Sequence, residues 1–198
     1  MIRTLAIGAL ALVAGCFDEP VPARETVPPE ARVYLNDRGL NDLRGASSNL
    51  SYGVGIDYLN LDRNQLTNVD EVVSLTGLKW LRLNGNRLSA LPDLSSLVNL
   101  RRIYLRNNLL PSVPATLESL PNLTDIDLSG NPIREVPEWL AKKGGLENLS
   151  FSRTLVTKLP DDLSAWKGLH SLQLGELKLS LQEMKRIRAA LPDVAIVY

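Results

Sequence analysis

Six side chains of the kinds that dominate protein-binding hot spots recur at fixed spacing: Tyr58, Trp80 and Arg102 stand 22 residues apart, as do Arg82 and Tyr104, with Arg106 just beyond. Tyrosine, tryptophan and arginine bring large contact area and polar reach at modest entropic cost. Asp125 and Asp127 follow Arg102 and Tyr104 by 23 residues. On one strand these carboxylates point the same way about 7 Å apart, a spacing reminiscent of paired acid–base carboxylates. An open surface, however, offers no pocket to dry them or raise a pKa, so they are expected to be a solvated pair. His170 is the single histidine, and the adjacent Ser171 points differently. A nucleophile, base and orienting acid are therefore not expected within hydrogen-bond reach. Neither a glycine-rich phosphate loop nor a cluster with metal-ligand spacing appears, so no enzyme activity, cofactor or metal is expected.

The elements that must position these residues form a repeat. Aligned without gaps, IDYLNLDRNQL (56–66), LKWLRLNGNRL (78–88), LRRIYLRNNLL (100–110), LTDIDLSGNPI (123–133), LENLSFSRTLV (146–156) and LHSLQLGELKL (169–179) start 22, 22, 23, 23 and 23 residues apart. Apolar residues fall at positions 1, 4, 6 and 11 of each piece. Pairs such as Leu59 and Leu61, or Ile126 and Leu128, have the two-residue spacing of one strand face. One such strand cannot bury its face alone, so units must stack around a shared core. The far side of that core is expected from Val69, Val72 and Leu75 and their counterparts in later units. Lys143 breaks the pattern, with Trp139 close by to cover the gap.

The pattern resembles the leucine-rich repeat, with Asn64, Asn86, Asn108 and Asn131 at the asparagine position of its signature. The resemblance implies an α/β solenoid: parallel strands on the concave face, and loops with short 3₁₀ or α turns on the convex face. Leu-Pro or Val-Pro pairs at 91–92, 113–114, 136–137 and 159–160 oppose long convex helices. A short amide at a strand exit can satisfy backbone groups that a curved turn leaves unpaired. That column ends at Thr154 and Leu177, as expected of a solenoid tapering to a cap. Residues 31–55 read as an irregular N-terminal cap or degenerate repeat, VYLNDRGL, with Arg38 in place of asparagine; a short separate helix is the alternative. Residues 56–179 hold six repeats. Within 180–198 a helix starting at Ser180, with the Ser180/Glu183 capping-box pair, precedes Pro192 and a short closing strand.

Of the 198 residues 44% are hydrophobic and 22% charged, with formal net charge zero. That suits one domain and, with the expected export, argues against nucleic acid. Cys16 is the single cysteine, so no intrachain disulfide can form. Arg3, the apolar run Leu5–Ala14 and Val13-Ala14-Gly15-Cys16 resemble a bacterial lipoprotein signal (1–15) that leaves Cys16 acylated. An ordinary secretory signal is the alternative. The run is too short to span a bilayer as a helix. Residues 16–30, with Pro20, Pro22, Pro28 and Pro29, read as a stiff tether. The resemblance implies a lipid-anchored protein of the bacterial cell envelope. With Asp18 not directly after the cysteine, its sorting rule favours the outer membrane of a Gram-negative cell.

Strand residues between the buried leucines align into concave columns. Tyr58, Trp80, Arg82, Arg102, Tyr104 and Arg106 fall on three adjacent strands, with Asp125 and Asp127 giving a change of sign beside them. The expected function is binding of a protein or peptide by this face, a match for acidic groups toward the N-terminal units and donor-rich groups near the aspartates. Arg102 and Asp125 could instead neutralise each other across neighbouring strands. A structural or scaffolding envelope protein without a discrete ligand is the rival class, and a hydrolase a remote third.

Overall fold

The computed structural model describes residues 32–44 and 55–198. The signal-like segment, Cys16, the tether and the loop through Ser47, Ser48 and Asn49 lie outside the described residues.

Eight three-residue strands form one parallel sheet in sequence order: β1 (Arg32–Tyr34), β2 (Tyr58–Asn60), β3 (Trp80–Arg82), β4 (Arg102–Tyr104), β5 (Asp125–Asp127), β6 (Asn148–Ser150), β7 (Ser171–Gln173) and β8 (Ala195–Val197). The register follows the repeat. Val33, Leu59, Leu81, Ile103, Ile126, Leu149, Leu172 and Ile196 pair in one line across all eight strands. Leu59, Leu81, Ile103 and Leu172 are completely buried. Burying a leucine side chain contributes roughly 1.5–3 kcal/mol, and stacking repeats that gain in every unit.

The strands stay short because the backbone turns in the same way after each one. Asp37, Arg63, Gly85, Asn107, Gly130, Arg153 and Glu176 occupy one repeat position, and all have φ between 54 and 67°. At Gly130 a Cβ would in addition meet Asn107 Oδ1, the end of an exposed side chain, which would have to move aside.

The next residue inward is the asparagine, and its hydrogen bonds tie units together. Asn108 Nδ2 donates to Leu105 O in its own unit (2.9 Å) and to Leu83 O in the preceding one (2.9 Å), while its Oδ1 accepts from Leu88 N at 3.1 Å. Asn86 and Asn131 repeat these contacts. Asn64 serves the N-terminal cap, where Oδ1 accepts from both Arg38 N and Leu40 N at 3.0 Å. The amide thus does for β1 what Arg38 cannot do for itself. At Thr154 the ladder stops, and its buried Oγ1 has no hydrogen-bond partner among the described residues.

On the convex side short turns replace long helices: 3₁₀ turns Asp70–Ser74, Ala115–Leu117 and Ser164–Gly168, and the single α-turn α1 (Glu138–Lys142). Lys143 does not fill a core place. Its ammonium reaches Leu120 O at 2.8 Å and Glu118 O at 3.1 Å, capping carbonyls of the preceding unit, and burial lowers its pKa. Trp139 packs against the core beside it.

The C-terminal helix α2 (Leu181–Ala190) starts at Ser180, whose hydroxyl accepts from Glu183 N. Glu183 Oε1 accepts from Leu159 N at 2.9 Å, and Arg186 donates to Glu183 and to the carbonyls of Leu159, Pro160 and Asp161. This pair clasps the helix onto the last convex turn, and β8 then pairs with β7.

Candidate functional site

The outer strand positions line up as columns on the face opposite the core. One column runs Arg32, Tyr58, Trp80, Arg102, Asp125, Asn148, Ser171, and the next runs Tyr34, Asn60, Arg82, Tyr104, Asp127, Ser150, Gln173. Seven of the eight sequence-derived residues stand in these two columns, and Arg106 follows two residues after Tyr104; they divide into two neighbourhoods.

From β1 to β4 the side chains are packed on one another. The Tyr34 and Tyr58 rings stand 5.3 Å apart, and Tyr58 and Trp80 meet edge to face at 5.7 Å. The Arg102 guanidinium lies 4.6 Å from the centre of the Trp80 ring, and that of Arg82 lies 5.6 Å from the Tyr104 ring. Tyr58 and Trp80 are in consequence only 6% and 7% exposed. Aromatic pairs and cation–π contacts of this kind add about 0.5–1.5 kcal/mol each. Burial raises the Tyr58 pKa, so the phenol stays neutral.

The arginines in this wall have counter-charges. Arg82 Nε donates to Asp62 Oδ2 at 2.8 Å. Burial opposes the Arg82 charge, yet the Asp62 carboxylate holds its pKa above the ordinary value. Arg102 Nε lies 3.4 Å from Asp125 Oδ2. The neutralisation left open by the sequence is therefore realised for Arg102 and Asp125. Arg106 differs: it is exposed, and no acidic group pairs with its guanidinium among the described residues.

Sequence reasoning missed Asp62 and Tyr34. Asp62 sits two positions later in its unit than Arg82 does, so a comparison of like positions overlooks this diagonal contact. Tyr34 extends the aromatic row onto the degenerate cap and is 52% exposed.

From β5 to β7 the residues are smaller and the face opens. A hollow of about 240 Å³ is lined by Tyr104, Asp125, Asp127, Asn148, Ser171 and Gln173 around a floor that includes Ile126 and Leu149. Asp125 is buried and held by Thr124 Oγ1 at 2.6 Å and Asn148 Nδ2 at 2.8 Å. It is not the exposed contact expected of it. Asp127 Oδ1 accepts from Ser129 N at 2.9 Å, closing a turn at the strand exit. The Ser129 and Ser150 hydroxyls bond each other at 2.6 Å. His170 lies outside this hollow, exposed and 3.9 Å from Glu147. Among the described residues no group of three or more His, Cys, Asp or Glu side chains is placed to hold a metal ion, and no helix is long and apolar enough to cross a membrane.

A family model described as leucine rich repeat matches residues 76–133, which include β3, β4 and β5. The fold is a leucine-rich-repeat solenoid. A solved leucine-rich-repeat protein of Leptospira interrogans is similar, at 25% sequence identity and a TM-score of 0.42, over 71% of this chain and 54% of that one. This chain thus spans about half the length of that protein. No curated protein matches. Leucine-rich-repeat domains generally mediate protein–protein interaction and are typically not enzymes.

Proposed function

We propose that this leucine-rich-repeat chain is a membrane-anchored module that binds a protein or peptide on its concave face. The carrying observation is the open polar hollow over β5–β7, set directly against a rigid wall of stacked aromatic and arginine side chains. Preorganised side chains lose little entropy on binding, and the hollow supplies a concave seat beside them. Tyr34, Tyr104 and Arg106 remain accessible along the same face. The contact therefore extends from the N-terminal units into the hollow, and the buried Trp80 supports it from beneath. The anchor rests on the sequence around Cys16, whose acyl chains would each contribute about 0.8 kcal/mol per buried methylene.

The test is a cross-linked pull-down from the native envelope, using the full chain and a Tyr104→Ala, Arg106→Ala, Gln173→Ala variant. A reproducible partner held by the parent chain and lost by the variant supports binding on this face. Equal capture by both places recognition elsewhere, and no reproducible partner favours a scaffold that only spaces envelope components. Fractionation of Cys16→Ser tests the anchor separately, since unchanged membrane attachment would remove it.

A further inference from the structure

The charges and hydrogen bonds of the hollow specify what it can hold. Asp125 is matched by Arg102, and its remaining contacts are filled by Thr124 and Asn148. Asp127 forms no ion pair among the described residues: only Oδ1 is engaged, by Ser129 N, and Oδ2 accepts no hydrogen bond there. The hollow therefore presents one carboxylate that is not ion-paired among the described residues.

Its other polar groups can accommodate the same ligand chemistry. Asn148 donates one of its two amide N–H groups to Asp125 Oδ1, and its carbonyl oxygen is an open acceptor. The Ser171 hydroxyl and the exposed Gln173 amide have no hydrogen-bond partner among the described residues. Acceptors in excess beside an unpaired carboxylate suit a group with only donors and a positive charge. Guanidinium and ammonium groups are the two such side chains that stay charged at neutral pH. A volume of about 240 Å³ has room for one long side chain, not for a folded surface.

We propose that the hollow over β5–β7 is a receptor for a single basic side chain, arginine or lysine, presented by the protein partner, with Asp127 as its counter-charge. This rests on the concave face being the binding face. The Arg82 and Arg102 charges, paired within the wall, do not repel such a cation as free arginines would. Charge pairs in a partly closed site mainly set specificity and orientation, so this contact selects which segment of the partner lies across β5–β7.

The probe is N-acetyl-arginine amide, titrated into the full chain while the side-chain amide NMR signals of Asn148 and Gln173 are followed. N-acetyl-lysine amide is run beside it, with N-acetyl-citrulline amide as the uncharged analogue of matching shape. The arginine and lysine probes should shift both signals saturably, and citrulline should bind at least tenfold more weakly. Asp127→Asn should reduce arginine binding at least tenfold. The new amide keeps an oxygen to accept from Ser129 N, so the turn is preserved. Gln173→Lys, at an exposed position, places a cation inside the hollow and should abolish binding without touching the turn. Equal binding of citrulline, or unchanged binding in both variants, overturns the proposal. The pull-down separates the two levels. A partner lost by the triple variant but kept by Asp127→Asn removes the basic-side-chain receptor and leaves concave binding standing. A partner kept by both removes both.

Discussion

The two halves of the concave face are built on the same backbone and behave as opposites. Over β2–β4 the large side chains that resemble a binding hot spot fill each other's contacts, leaving Tyr58 and Trp80 almost without solvent exposure. Over β5–β7, where the outward residues are aspartate, asparagine, serine and glutamine, the face stays hollow and keeps unpaired acceptors. Residue type alone therefore ranks the halves in the wrong order for accessibility. On closely spaced parallel strands, big neighbours bury one another and small ones leave room.

The comparison is sharpened first by the largest expected effect. Leu105→Ala beneath the wall and Leu172→Ala beneath the hollow should each lower stability by about 2–5 kcal/mol in urea denaturation. A loss at one site only would mean that the halves differ in their core as well as on their outer face. Next, Asn108→Ala should cost about 2 kcal/mol, because it strands the Leu88 amide in the interior and leaves Leu83 O and Leu105 O with one asparagine donor each, Asn86 and Asn131. Thr154→Val should instead be neutral or slightly stabilising, since it removes a buried hydroxyl without a partner. Similar losses at both positions would contradict an inter-unit ladder confined to the N-terminal side.

Trp80→Ala should lower stability by about 2 kcal/mol through lost stacking and burial, whereas Gln173→Ala should stay within about 0.5 kcal/mol. If Trp80→Ala left the melting curve unchanged, the wall would not be the packed structure described. A smaller effect belongs to the C-terminal clasp. Arg186, hydrogen-bonded to Glu183, holds that carboxyl below its ordinary pKa despite the opposing effect of burial. A depressed pKa gives stability that is present above the unfolded value, about 4.3, and is lost as pH falls through the folded value. Glu183→Gln should therefore cost about 1 kcal/mol at pH 7, a difference that closes toward pH 3. A pH-independent difference would assign the clasp to shape and not to charge.

Much of the fold was legible because a solenoid writes its structure into the period. The pairing line from Leu59 to Leu172 is the same column that the aligned pieces display. The face of each strand was legible for the same reason. What the alignment does not carry is side-chain reach. The Arg82–Asp62 contact joins unlike positions of adjacent units, and the Lys143 ammonium runs back to Leu120 O, so a pattern that asks only for apolar volume registers Lys143 as a break without showing what it binds. Nor does a column state which neighbour fills which space. The burial of Tyr58, Trp80 and Asp125 depends on ring tilts and on a guanidinium lying across a ring, none of which has a signature in spacing.

The asparagine ladder also gives the stack a mechanical direction. Its first units are stitched to one another by repeated amide links, whereas beyond Thr154 that stitching is absent and the Glu183–Arg186 clasp holds the end. Pulled from its two ends in optical tweezers, such a chain should yield from the C-terminal side, with the clasp and the last two units released before the rest. A first rip at the N-terminal units would place the weak seam elsewhere. The solenoid is then less a uniform spring than a zipper with a fastener at one end, and load on that end reaches the hollow before it reaches the wall.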